Sequence, residues 1–134
     1  MRKILIVDDN AAYLKVVAEL LRKHDYQVLP CGTAEEGLAT ARQERCDVIL
    51  IDLGLPGMDG FSLRRELLRE EATREIPVVV VSGRSREEIE QKDRTLLAGS
   101  YGFIRKPYLE DEMVELLARV IAMTVSPARD LPHG

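Results

Sequence analysis

Three kinds of side chain in this sequence can share one piece of chemistry. They are the carboxylates Asp8, Asp9 and Asp52, the hydroxyl of Ser82 and the amine of Lys106, which stands directly before Pro107. Asp52 closes the apolar run VILI and leads into LGLPGMDG, a stretch with three glycines and a proline. Glycines let backbone and solvent come close to an acid held at the end of a rigid element. Three carboxylates in one hollow repel one another and raise one another's pKa unless a cation sits among them. Oxygen ligands without His or Cys suit a hard divalent ion, and a small cluster that leaves positions to water and phosphate suits Mg²⁺ better than a closed Ca²⁺ cage. A carboxylate beside such an ion can attack a phosphoryl group, with Lys106 and Ser82 neutralising the transferring oxygens.

Taken singly, an acid of this kind reads as a helix cap or a turn residue; what matters is whether the fold brings all five together. The run KILIVDD is continuous, β-branched and short, as a parallel strand buried on both faces would be, and places a first strand at about residues 3 to 8. Leu14, Val17, Leu20 and Leu21 then recur at helical spacing, and 26–32 reads as a second strand. Thr33 with Glu36 has the capping-box pattern ahead of the helix AEEGLATARQE, and DVILI supplies a third strand. A helix over 60–71, the strand IPVVVVS, a second capping box at Ser85 and Glu88, the strand YGFIR and a last helix follow. Pro107 is placed at or just before the first turn of that helix, whose inward face carries Met113, Leu116, Leu117 and Val120. Alternating strands and helices with short connections predict a doubly wound α/β fold, (βα)5 around a parallel sheet. In such a sheet every strand end meets one edge, where ligands bind. Asp8, Asp9, Asp52, Ser82 and Lys106 all fall at strand ends.

Composition narrows the function classes. With 134 residues, 31% charged and 46% hydrophobic, the chain has the size of one soluble domain, placed at 1–124, with 125–134 as a disordered tail or linker stub. A net charge of −4 and no Lys/Arg block longer than two argue against nucleic-acid binding by this chain alone. The apolar runs are too short for a membrane span or a signal peptide, so a cytoplasmic location is expected. Cys31 and Cys46 lack metal-ligand spacing and read as reduced, semi-buried thiols; His24 and His133 read as solvent-facing. The run RRELLREEATRE, residues 64–75, reads as a solvated helix face. Tyr101 and Tyr108 flank the fifth strand and are open to either partner contact or core packing.

The motifs ILIVDDN, DVILIDLGLPGMDG, IPVVVVSG and GFIRKPY resemble, in kind and order, those of the receiver domains of two-component response regulators, single-domain chemotaxis regulators among them. The resemblance covers about residues 2–124 and implies a flavodoxin-like fold with sheet order 2-1-3-4-5. It implies that Asp52 accepts a phosphoryl group from a histidine kinase or phosphotransfer protein. Asp9, Asp52 and the backbone carbonyl of Gly54 would bind Mg²⁺, with Asp8 acting through water. Ser82 and Phe103 would be the switch pair, Lys106 would contact the phosphoryl group, and the bond to Pro107 is commonly cis in the family. Such a domain catalyses only its own phosphorylation and dephosphorylation. It signals by switching the surface of the fourth helix, fifth strand and fifth helix, a surface that also serves homodimers.

Two departures stand out. Ser82 and Lys106 lie 24 positions apart, about two more than is usual in the family, with the excess in GRSREEIEQKDR. Gly54 and Arg84 occupy positions that, in the family it resembles, flank the path of the hydrolytic water and influence phosphate lifetime; Gly54 cannot shield it, whereas Arg84 has the length to do so. Phe103, lacking a hydroxyl, cannot report the switch by a hydrogen bond, and also reads as an ordinary core aromatic. Two rival classes remain for comparison. A haloacid-dehalogenase-like phosphatase needs a second acid two residues after its nucleophile, where this chain has Gly54. A flavodoxin-like cofactor module needs a phosphate-cradling glycine loop after the first strand, where this chain has acids.

Overall fold

The runs ILIV, VILI and VVVV are apolar at every position because their strands are covered on both faces. In the computed structural model, which describes residues 1–55 and 57–124, they form β1 (Lys3–Val7), β3 (Val48–Asp52) and β4 (Val78–Ser82). With β2 (Gln27–Cys31) and β5 (Gly102–Arg105) they make one parallel sheet in the order β2-β1-β3-β4-β5. This is the expected flavodoxin-like arrangement. Pro30, which cannot donate to a ladder, lies on the edge strand β2. The expected tail at 125–134 lies outside the described residues.

Side-chain alternation splits the core in two. Leu5, Val7, Ile49, Ile51, Val78 and Val80 point to one face. There they meet α2 (Ala34–Gln43), α3 (Gly60–Arg69), α4 (Arg86–Lys92) and α5 (Arg94–Ala98). Ile4, Ile6, Val48, Leu50, Val79 and Val81 point to the other, beneath α1 (Ala11–Lys23) and α6 (Glu110–Thr124). Each of these aliphatic side chains, all under a tenth exposed, contributes about 1.5–3 kcal/mol by leaving water.

Helix starts follow the capping residues with one difference. Asn10 accepts from the Tyr13 amide and Asp59 from the Ser62 amide, and Ser85 with Glu88 completes a reciprocal box. Thr33 accepts from the Glu36 amide as expected, but the Glu36 carboxylate turns one residue further back, to the Gly32 amide at 3.3 Å. Pro107 falls three residues ahead of α6, before its first turn, and the Lys106–Pro107 bond is cis.

The surplus between Ser82 and Lys106 breaks the fourth helix into α4 and α5. Asp93, extended at φ −154°, ends α4 and caps α5 through the Thr95 amide. The surface expected from the fourth helix, fifth strand and fifth helix is therefore built from α4, α5, β5 and α6. Arg64 also departs from expectation. It is 6% exposed, not part of a solvated face, because Gly60, Leu63, Arg64 and Leu67 follow the inward spacing of α3.

Among the described residues no helix is long and apolar enough to cross a membrane. Cys31 and Cys46 are both buried and free, and burial pushes the Cys46 thiol up to about 11. His24 is exposed, at the end of α1.

Candidate functional site

The same alternation that divides the core aims the site residues. Beyond β1, β3 and β5 the pattern sends Asp8, Asp52 and Lys106 toward the α1 and α6 side, whereas Ser82, one place past Val81, faces the α4 side. β1 ends next to β3, and β3 next to β4, so the acids arrive at adjoining tips without any long loop.

Asp8 is 1% exposed and fully engaged. Its Oδ1 accepts from the Asn10 amide at 2.9 Å, and its Oδ2 from Lys106 Nζ at 2.8 Å. The same ammonium lies 3.8 Å from Asp52 Oδ2. Asp9 is exposed at the mouth of the crevice. One carboxylate oxygen from each of Asp8, Asp9 and Asp52 lies within 4.8 Å of the others. Ligands of an octahedral ion at about 2.1 Å stand roughly 3 to 4 Å apart, so a slight closure of this all-oxygen set accommodates Mg²⁺. The electrostatics of the cluster favour a cation. Burial raises the Asp52 carboxyl above its ordinary value, and the charges of Asp8 and Asp9 add to it; the Gly54 amide and Lys106 only partly offset them.

The glycines of the loop have separable jobs. Gly54 is exposed and donates its amide to Asp52 Oδ1 at 3.1 Å, and a Cβ there would lie 3.8 Å from that oxygen. Gly57 adopts φ +70°, a region open to glycine at little cost. At Gly60 a Cβ would come within 2.6 Å of the Asp52 carbonyl oxygen and 2.7 Å of Leu53 Cα, so α3 can seat against the end of β3 only with glycine there.

Ser82 is 3% exposed, and its Oγ accepts from the Arg84 amide at 3.0 Å; it is tied to its own loop rather than to the acids. Arg84 is exposed, and its amide is the donor to Ser82. Phe103 is half-buried against the α2–α5 side, with the Arg86 guanidinium 5.5 Å from its ring centre.

Tyr13 is a site residue that motif reading passed over. It stands in the first turn of α1, and its ring centre lies 4.0 Å from Lys106 Nζ. Its hydroxyl shares a short hydrogen bond with that of Tyr108, and the rings meet edge to face. Burial, then the Tyr108 bond, then the charges of Asp8 and Asp52 all raise the Tyr13 phenol. Two tyrosines thus form a wall beside the amine.

The family model described as response regulator receiver domain matches residues 4–118. PilH of Pseudomonas aeruginosa is 34% identical over 122 residues, 91% of this chain and 99% of PilH. The phosphate regulon transcriptional regulatory protein PhoB of the same organism is 32% identical over 92% of this chain, which spans only 53% of PhoB. Among solved structures, the receiver domain of the P. aeruginosa sensor histidine kinase PA1611, with magnesium coordinated in its active site cleft, superposes at a TM-score of 0.81 and 29% identity. That match covers 90% of this chain and 98% of the other.

Proposed function

Since the chain belongs to the response regulator receiver domain family of two-component signalling, we propose that it takes a phosphoryl group from a phosphohistidine onto Asp52. The donor is a sensor histidine kinase or a phosphotransfer protein. An Asp52 oxygen attacks phosphorus, the bond from phosphorus to the imidazole nitrogen breaks, and that nitrogen leaves with its electron pair. One observation carries the proposal: Asp52 stands at a strand tip within 3.8 Å of an ammonium and in a three-acid cluster of ion-binding size.

Asp9, Asp52 and the Gly54 carbonyl would hold Mg²⁺, with Asp8 assisting through water. The magnesium in the cleft of the related receiver domain supports that assignment. When bound, the ion neutralises charge on the transferring oxygens. Lys106 then exchanges its 3.8 Å approach to Asp52 for a contact with the phosphoryl group, while Asp8 keeps it oriented. An apolar groove of about 580 Å³, lined by Tyr13, Val16, Leu20, Pro107 and Tyr108, begins at Lys106 and offers the donor a surface to lie on.

Switching follows from the added charge. Ser82 leaves the Arg84 amide for the phosphoryl oxygens, Phe103 moves into the released space, and its contact with Arg86 changes. The surface of α4, α5, β5 and α6 transmits the change, and the same surface serves a second copy of the chain if it dimerises.

Incubating the full chain with acetyl phosphate and Mg²⁺, followed by intact-mass measurement, tests the proposal. One added phosphoryl group is expected, lost in EDTA and in Asp52→Asn. Undiminished labelling of the Asp52→Asn protein would remove Asp52 from the role.

A further inference from the structure

At the opposite edge of the sheet from the aspartates, where β4 begins, lies a cavity of about 550 Å³ between α3, α5, β5 and the end of α6. Its walls include Arg64, Arg74, Leu68, Tyr101 and Met123. We propose that this cavity binds an organic carboxylate with an apolar body, its charged end on the Arg64 guanidinium and its body on the apolar rim.

The first support is the state of Arg64. It is more than nine-tenths buried, and its Nη2 lies against Gly99, which also lines the cavity; any side chain at 99 would collide with it. Among the described residues it makes no hydrogen bond and has no carboxylate within 4.0 Å; Asp93 attracts it only from farther away. Burial lowers its pKa, which expresses the same lack of a close partner. A guanidinium largely withdrawn from water with no protein hydrogen bond has lost part of its hydration, and an anion supplied from outside replaces it. None of its nitrogens is both fully buried and unpaired, so each keeps some accessible surface, and Arg64 lines the cavity.

The second support is the rim. Leu68, Tyr101 and Met123 are three of the six large apolar side chains that the described chain leaves exposed, and all three line this one cavity. Arg74 adds a second cation, and Glu75 subtracts one charge, so the lining favours a single negative group. The guanidinium fork matches a carboxylate in bidentate fashion, and the apolar rim selects an organic acid over inorganic phosphate. The volume is within the range of small-molecule sites.

The test uses the full chain and two probes, phenylacetate and indole-3-acetate, with acetate and sodium chloride at equal ionic strength as controls. Thermal unfolding and titration calorimetry should show saturable binding of at least one aromatic probe and weaker binding of acetate. Arg64→Met should weaken it tenfold or more, while Asp52→Asn should leave it unchanged, which separates this site from phosphoryl acceptance. Without probe, Arg64→Met should unfold at the same or a higher temperature. Absence of binding by both aromatic probes overturns the proposal, as does binding that survives Arg64→Met or disappears in Asp52→Asn. If Arg64→Met does not fold, Arg64→Lys, which keeps the charge and loses the fork, and Arg74→Gln carry the same comparison.

Discussion

Replacing Lys106 by methionine leaves Asp8, 1% exposed, without the ammonium that sits 2.8 Å from its Oδ2, and leaves Asp52 without its cation at 3.8 Å. Removing one partner of a buried pair costs about 3–5 kcal/mol. Asp8 keeps the Asn10 amide and the lysine side chain is 27% exposed, so the cost here should be about 2–3 kcal/mol. At about 4 °C per kcal/mol for a domain of this size, the unfolding midpoint falls by roughly 8–12 °C. Asp8→Asn behaves differently. It removes one of three crowded acids and leaves Lys106 free to turn to Asp52, so its cost should stay under about 1 kcal/mol. Combining the two changes should then expose a coupling of about 1–2 kcal/mol. The assay is thermal or urea unfolding at pH 7 in EDTA for the wild type, both single variants and the double variant. Millimolar Mg²⁺ should return part of the Lys106→Met loss, since the ion supplies a positive charge to the same hollow. Equal losses for the two single variants, additive losses in the double, or no response to Mg²⁺ would refute the reasoning.

Tyr13→Phe keeps the ring beside Lys106 and loses the hydroxyl bond to Tyr108, so labelling by acetyl phosphate should slow about twofold or less, against a several-fold slowing for Tyr13→Ala. Equal rates for the two variants would remove the ring from any positioning role. Gly60→Ala drives a methyl group into backbone atoms 2.6 and 2.7 Å away and should cost about 2–3 kcal/mol in urea unfolding while lowering labelling of Asp52. At pH 8 a Cys46 thiol raised to about 11 is thiolate in only about one molecule per thousand, so iodoacetamide should modify it slowly until the chain unfolds. Because the folded value lies above the unfolded value of about 8.5, the Cys46 contribution to stability is complete below that pH and lost as pH rises through about 11; unfolding midpoints measured between pH 8 and 11.5 check the direction.

Much of the fold was legible because parallel strands covered on both faces need continuous apolar runs, and ILIV, VILI and VVVV satisfy that need unambiguously. The site was legible for a related reason: acids placed directly after such runs have to emerge at one edge of the sheet. Side-chain contacts beyond those tips were not. The mixed charges of residues 64–75 point to a solvated face, whereas the period of Gly60, Leu63, Arg64 and Leu67 is inward, and in α3 the period wins. The length excess before Lys106 signalled an unusual fourth helix, but whether it would lengthen a loop or break the helix depended on Asp93 taking an extended conformation and capping Thr95. Tyr13 was missed because a single aromatic at helical spacing usually belongs to the core, and only the approach of Lys106 across the sheet edge gives it another use. Ser82 ends β4 at the rim, but its hydroxyl's bond with the Arg84 amide depends on loop geometry that spacing does not encode.

The most direct test maps the phosphoryl group chemically. Borohydride reduces an acyl phosphate on aspartate to homoserine, so wild-type protein treated with acetyl phosphate and Mg²⁺, reduced and digested should yield homoserine at position 52 and nowhere else. Homoserine at Asp8 or Asp9, or none at position 52 in protein whose intact mass shows the added group, would contradict the assignment of Asp52 as the acceptor.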